Sequence, residues 1–185
     1  MRYKTIILVT VLFSFISCEK KVEIKENRFR TWLNPDFKLE NGFSVKLKMT
    51  VIHDDVFKIY YSEDPSENYQ EKESIQSKVK GSNNNQIITF NLPKDIRPTK
   101  LRIDFGINKK QNYFKINSIE LNNSQNNLEI PSDSLFNYFE IFNKNLSYDS
   151  INNHLKVEKS SNKKYSPSVF SKELLSNKLK DWYKD

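Results

Sequence analysis

Phe43, Val45, Leu47, Met49 and Val51 take every second position of one run, with Ser44, Lys46, Lys48 and Thr50 between them. Successive side chains of an extended chain point to opposite faces, so this strict period of two makes residues 43–51 a strand with one face buried and the other in water. A helix would scatter the same five apolar residues around its circumference. Asn41-Gly42, directly upstream, is a turn signal. A strand with one apolar face requires partners and a second layer to cover it, so the run commits the chain to a packed sheet.

Further strand-like runs follow at 56–61, 74–80, 86–92, 100–105 and 113–121, separated by turn-forming segments: Asp64-Pro65-Ser66, Gly81-Ser82-Asn83-Asn84-Asn85, Pro93 with Pro98, and 106–112. Short strands at this spacing, with no helical pattern between them, predict a mainly β chain folded as an antiparallel, jelly-roll-like β-sandwich. Asn122 to Asn127 interrupts the pattern. Beyond it, Leu135, Phe136, Phe139 and Phe142 fall at helical spacing after Ser132, a candidate cap, with Asp133 in the first turn. Ser171 is a candidate cap for a second helix carrying Leu174, Leu175, Leu179 and Trp182. Residues 146–157 and 165–170 can add one or two strands. One or two C-terminal helices within 128–185 are therefore expected as a cover on the sandwich, since 58 residues are few for a separate core.

The N-terminus reads as a targeting segment. Arg2 and Lys4 precede the uncharged run Thr5 to Ser17, which Glu19, Lys20 and Lys21 cut off well short of the roughly 20 apolar residues needed to span a bilayer. Residues 1–17 are expected to be a signal peptide. Phe15-Ile16-Ser17-Cys18 resembles the lipobox of bacterial lipoproteins, in a looser form of the Bacteroidota type with Phe at −3 in place of the commoner Leu. That resemblance implies that Cys18 is lipidated and becomes the first mature residue, with two or three acyl chains giving stable anchoring. The alternative is an ordinary cleaved signal that leaves Cys18 as a free thiol. As the one cysteine in the chain it can form no internal disulfide and join no cysteine cluster. Residues 18–41 then serve as lipidated cysteine and tether, and 42–185 as the domain. Loss of Arg2 and Lys4 lowers the formal charge from +7 to +5.

Leu101-Arg102-Ile103-Asp104-Phe105-Gly106, followed after a polar loop by Phe114-Lys115-Ile116-Asn117-Ser118-Ile119-Glu120-Leu121, resembles the closing strands of β-sandwich modules in bacterial envelope proteins, a group similar to galactose-binding-like carbohydrate modules. Phe57 to Tyr61 and Ile88 to Pro93 fit the same layout, so the resemblance covers about 43–121. Phe105 departs from it, standing where the group often has proline. The resemblance implies a fold and a carbohydrate-binding-like role, and no ligand residue is carried over from it.

Candidate sites are few. His53-Asp54-Asp55 could hold a cation through Asp54 and Asp55 or supply a base, but adjacent loop residues rarely converge on one atom, and a turn between the first two strands is the preferred reading. Asp104-Phe105-Gly106 spells the kinase metal-binding triplet without a glycine-rich phosphate loop or a His-Arg-Asp motif, and so is read as a strand end. Sugar rings stack on aromatic planes, which makes Trp32, Tyr69 and Tyr113 beside Asn112 candidates for a glycan, although most aromatics in a chain without alanine are expected to fill the core. Asp133-Ser134-Leu135 and Asp149-Ser150-Ile151 resemble the acceptor motif of Bacteroidota O-glycosylation, naming Ser134 and Ser150. The lysines are dispersed in runs no longer than two, so no nucleic-acid partner is expected. His53 and His154 lie far apart in sequence, and no nucleophile or paired acid and base can be assembled. The expectation is a non-enzymatic module without a cofactor, exported and lipid-anchored to the cell envelope at the outer membrane, with a glycan as ligand. A structural or accessory lipoprotein contacting an envelope protein is the alternative, and a hydrolase comes third.

Overall fold

The computed structural model describes residues 42–142, 144–158 and 165–184. Among them the chain forms strands β1 (Ser44–Val51), β2 (Asp55–Ser62), β3 (Ser74–Val79), β4 (Ser82–Asn91), β5 (Lys100–Asp104), β6 (Tyr113–Asn122), β7 (Asn127–Pro131), β8 (Phe139–Ile141), β9 (Leu146–Asp149), β10 (His154–Val157) and β11 (Ser168–Ser171), with helices α1 (Leu135–Tyr138) and α2 (Glu173–Asp181). The strands build two antiparallel sheets, ordered β4-β1-β6-β10-β9, with β7 also on β6, and β3-β2-β5-β11-β8. The architecture is a β-sandwich, mainly β, with a C-terminal helix.

β1 lies inside the first sheet, between β4 and β6. Val45, Leu47, Met49 and Val51 are fully buried while the residues between them face outward. The facing sheet contributes Phe57, Ile59, Leu101, Ile103 and Val169. Phe57 is packed edge-on against Phe105 and Phe114, with ring centroids 5.8 and 5.7 Å away, which ties the two sheets together at their centre.

β6 shows how alternation is repaired. Ile116 and Ile119 are three positions apart and would face opposite sides of a regular strand, yet both are buried. Lys48 pairs with Ser118 and Met49 with Ile116, leaving Asn117 without a position of its own in the register. This bulge lets two consecutive residues, Asn117 and Ser118, face away from the core and returns Ile119 to it.

The C-terminal part is more extended than its helical spacing predicts. The expected helix over Leu135 to Phe142 stops at Tyr138, after a 3-10 turn at Ser132–Ser134, and Phe139-Glu140-Ile141 is strand β8. Phe139 enters the core and Ile141 pairs with Val169 of β11, so pairing wins over a short helical pattern. Ser132 makes no capping hydrogen bond. Neither does Ser171 cap α2. Lys172 holds that position, and the Ser171 hydroxyl instead accepts the Leu101 N–H at 3.0 Å. In α2, Leu175 and Leu179 are buried while Leu174 faces solvent. Trp182 packs on Phe43, centroids 6.0 Å apart. Asn83 to Asn85, read as a turn, belong to β4, and β7 lies in a stretch expected to be helical cover.

Candidate functional site

The polar phase of β2, β5, β11 and β8 forms the outer face of the five-stranded sheet. Register places Ser74, Tyr60, Arg102, Phe170 and Glu140 in one row across the strands. Lys58, Asp104 and Ser168 form the row beside it. Arg102 is the centre of the arrangement. Its Nε and Nη2 grip the two Asp104 oxygens at 2.6 and 2.7 Å, and its guanidinium carbon lies 4.7 Å from the Tyr60 ring centre and 5.2 Å from that of Phe170. A planar guanidinium can do both at once, forking onto a carboxylate in its plane while its faces meet aromatic rings.

Tyr69 closes over this row from the loop joining β2 to β3. Its hydroxyl donates to the Leu101 carbonyl at 2.8 Å, and its ring meets Tyr60 and Phe170 edge-on. Burial pushes its phenol well above the ordinary range, and it stays protonated as a donor. Glu71 from the same loop accepts from Lys58 and, at 2.7 Å, from the Tyr60 hydroxyl. Lys100 ties the loop down through the Pro65 and Glu67 carbonyls, with its ammonium 4.8 Å from the Tyr69 ring centre. At the other end of the row Phe142 lies on Phe170, centroids 4.2 Å apart and planes tilted by 31°, and is 67% exposed.

Tyr69 and Tyr113 do not share a site. Tyr113 belongs to β6 of the other sheet, where its ring lies 4.8 Å from that of His154. Asn112 beside it is exposed, and its carbonyl accepts the Val157 N–H at 2.8 Å. Behind His154, a depression lined by Ile116, Leu135, Tyr148 and Leu155 encloses about 10 Å³, room for a single water and not for a sugar ring. Trp32 and Cys18 lie outside the described residues.

Asp54 and Asp55 part company. Asp54 accepts from Lys80 at 2.7 Å and from the Gly81 N–H at 2.8 Å, which holds its carboxyl below the usual range. Asp55 is buried and turns to the β5–β6 loop, accepting the N–H groups of Ile107 at 2.8 Å and Asn108 at 3.2 Å, as well as that of Val56. Among the described residues no group of three or more His, Cys, Asp or Glu side chains is placed to hold a metal ion. Gln111, fully buried, pairs with the His53 backbone, its Nε2 donating to the carbonyl at 2.9 Å and its Oε1 accepting the N–H at 3.4 Å. The His53-Asp54-Asp55 turn is a clasp between loops. Ser134 donates to Asp133, and Ser150 is exposed in the turn between β9 and β10.

Arg102, Phe142 and Phe170 are the residues that sequence reasoning missed as a site. The available signal was phase, because Tyr60 and Arg102 sit at outward positions of alternating strands where lysine, serine or threonine would serve solubility equally well. No family model, curated protein or solved structure matches the chain. No helix among the described residues is long and apolar enough to cross a membrane.

Proposed function

We propose that the chain is an exported lipoprotein, held at the outer membrane of the cell envelope through lipidated Cys18, whose β-sandwich is a non-catalytic binding module with a glycan as its ligand. The observation that carries the reading is the exposed Phe142 ring stacked on Phe170 at the end of the Tyr60–Arg102–Phe170–Glu140 row. The C–H faces of a sugar carry partial positive charge and stack on the negative face of an aromatic ring, while flanking polar groups take the hydroxyls. Glu140 is exposed directly beside Phe170 and supplies such an acceptor.

A panel of polysaccharides probed with the processed chain and with Phe142→Ala tests this. The expected result is binding to a glycan that falls at least tenfold in the variant, since losing one stacked ring costs on the order of 1.4 kcal/mol. No binding to any glycan, or binding indifferent to Phe142, sinks the proposal. The anchor is tested separately. Cys18→Ala should abolish incorporation of labelled palmitate and release the protein from membranes, and a variant that still labels and stays bound refutes lipidation at Cys18.

A further inference from the structure

β4 ends the first sheet, and among the described residues it is paired on one side only, with β1. An open edge offers a row of backbone donors and acceptors to any passing strand, and proteins usually blunt it with charge, proline or brevity. The other edges of this sandwich are blunted in that way. β3 carries Lys78, β7 carries Glu129 and ends in Pro131, β8 is three residues long around Glu140, and β9 is four residues long with Asp149. β4, SNNNQIITFN, has no charge or proline; its register with β1 is irregular over Asn83 to Asn85, and the regular edge is Gln86 to Asn91, in which Ile87 is 61% exposed.

We propose that β4 is the docking edge for a second copy of this chain, which pairs antiparallel with its own counterpart across a two-fold axis. An isologous contact sets each surface against itself, so any net charge on the edge would meet its like. β4 has none to meet. The nearest charges on that outer face, Lys46 and Lys48 of β1, are engaged by Glu120 at 3.0 and 3.5 Å, and Lys48 also by Glu129 at 3.0 Å. The contact therefore adds ladder hydrogen bonds and covers Ile87 without opposing charges. It goes beyond glycan binding and does not depend on it, because the outer face carrying Phe142 belongs to the other sheet.

The test uses full-length chains with single cysteines introduced by Ile87→Cys, Thr89→Cys or Asn91→Cys, all within the regular stretch of β4. The unmodified chain controls for Cys18, and Ile151→Cys, at a position 93% exposed in the β9–β10 turn, controls for random collision. A two-fold antiparallel pair sets one β4 position opposite itself, so mild oxidation should give a disulfide-linked dimer severalfold faster there than at 151. Ile87→Lys in the unmodified chain should shift the sedimenting species from dimer to monomer with an unchanged circular dichroism spectrum. Crosslinking on β4 no faster than at 151, crosslinks to a different protein, or a wild-type chain that sediments as a monomer overturns the proposal.

Discussion

The Asp55 carboxylate fills the space that a side chain on Gly106 would need. A Cβ built on Gly106 would stand 2.2 Å from Asp55 Cγ, and Gly106 holds φ at +91°, where residues with a side chain are strained. The two residues form one device. Glycine lets the chain leave β5 in a left-handed turn, and that turn presents the Ile107 and Asn108 N–H groups to Asp55. Gly106→Ala should therefore cost about 3 kcal/mol, from strain and overpacking together. Asp55→Ala, which takes the acceptor from the part-buried N–H groups of Val56, Ile107 and Asn108, should cost about 2 kcal/mol. In the double variant the alanine methyl no longer meets a carboxylate, so the loss should be smaller than the sum of the two. Urea unfolding of the three variants measures this coupling, and strict additivity contradicts it.

Glu120 makes the outer face of the first sheet sensitive to acid. It accepts from Asn122 at 2.7 Å and from Lys46 at 3.0 Å, with Lys48 close by, and these contacts lower its carboxyl from 4.5 to about 2. A carboxylate lowered in the folded state contributes stability that is complete above its unfolded value and is lost as pH falls through the folded one. The window for this group therefore runs from about 4.5 down to about 2. Glu120→Gln should melt lower near neutral pH by roughly 1 kcal/mol, and the difference from wild type should shrink progressively on acidification to about pH 3. A difference that is constant over that range would show that the charge of Glu120 is not what stabilises the face.

Which parts of this chain can be read in advance depends on how local their causes are. The β1 strand needs no context, because five apolar residues in strict alternation have one extended solution. Phe139-Glu140-Ile141 is legible only once β11 is in place to pair with it, since three residues also fit the helical spacing of Leu135 and Phe136. Gln111 looks like a loop residue until the fold brings His53, 58 positions away, against its amide. Tyr69 and Tyr113 are similar aromatics in polar surroundings. That the first packs from a loop onto the five-stranded sheet while the second is part of β6 is a property of topology that no short window contains. The Arg102 row has the same origin, since its members come from five strands and meet only through their register.

Gln111 is the polar counterpart of the Asp55 clasp. Its amide presents a donor and an acceptor to the His53 backbone as a neighbouring strand would, and it is fully buried. Gln111→Leu keeps the volume while leaving the His53 carbonyl and N–H without these partners, and should cost about 2 kcal/mol. Gln111→Glu keeps the acceptor but puts a charge where the carbonyl needs a donor, and should cost more at neutral pH than in mild acid, where the protonated carboxyl donates again. Thermal melts at both pH values decide this, and a Gln111→Leu protein as stable as wild type removes the clasp from the account.

Asn117 separates side chain from backbone as the cause of the β6 register. Its side chain is exposed, so Asn117→Ala should change stability by no more than about 0.5 kcal/mol. Deleting the residue is a different operation. Ile116 would then be followed by Ser118 and Ile119 in unbroken alternation, so Ile116 and Ile119 share one face, and the pairings of Lys48 with Ser118 and of Met49 with Ile116 are both retained. Ile116, Ile119 and Leu121 all stay on the core side, and what is lost is the bulge with the local bend and added twist it gives β6. The deletion should therefore fold, destabilised by about 1 to 2 kcal/mol through the altered bend, as read by far-UV circular dichroism and urea titration, while Asn117→Ala unfolds as wild type. A deletion variant that does not fold would mean that the bend at Asn117, and not the alternation of the apolar residues, is what seats β6 in the core.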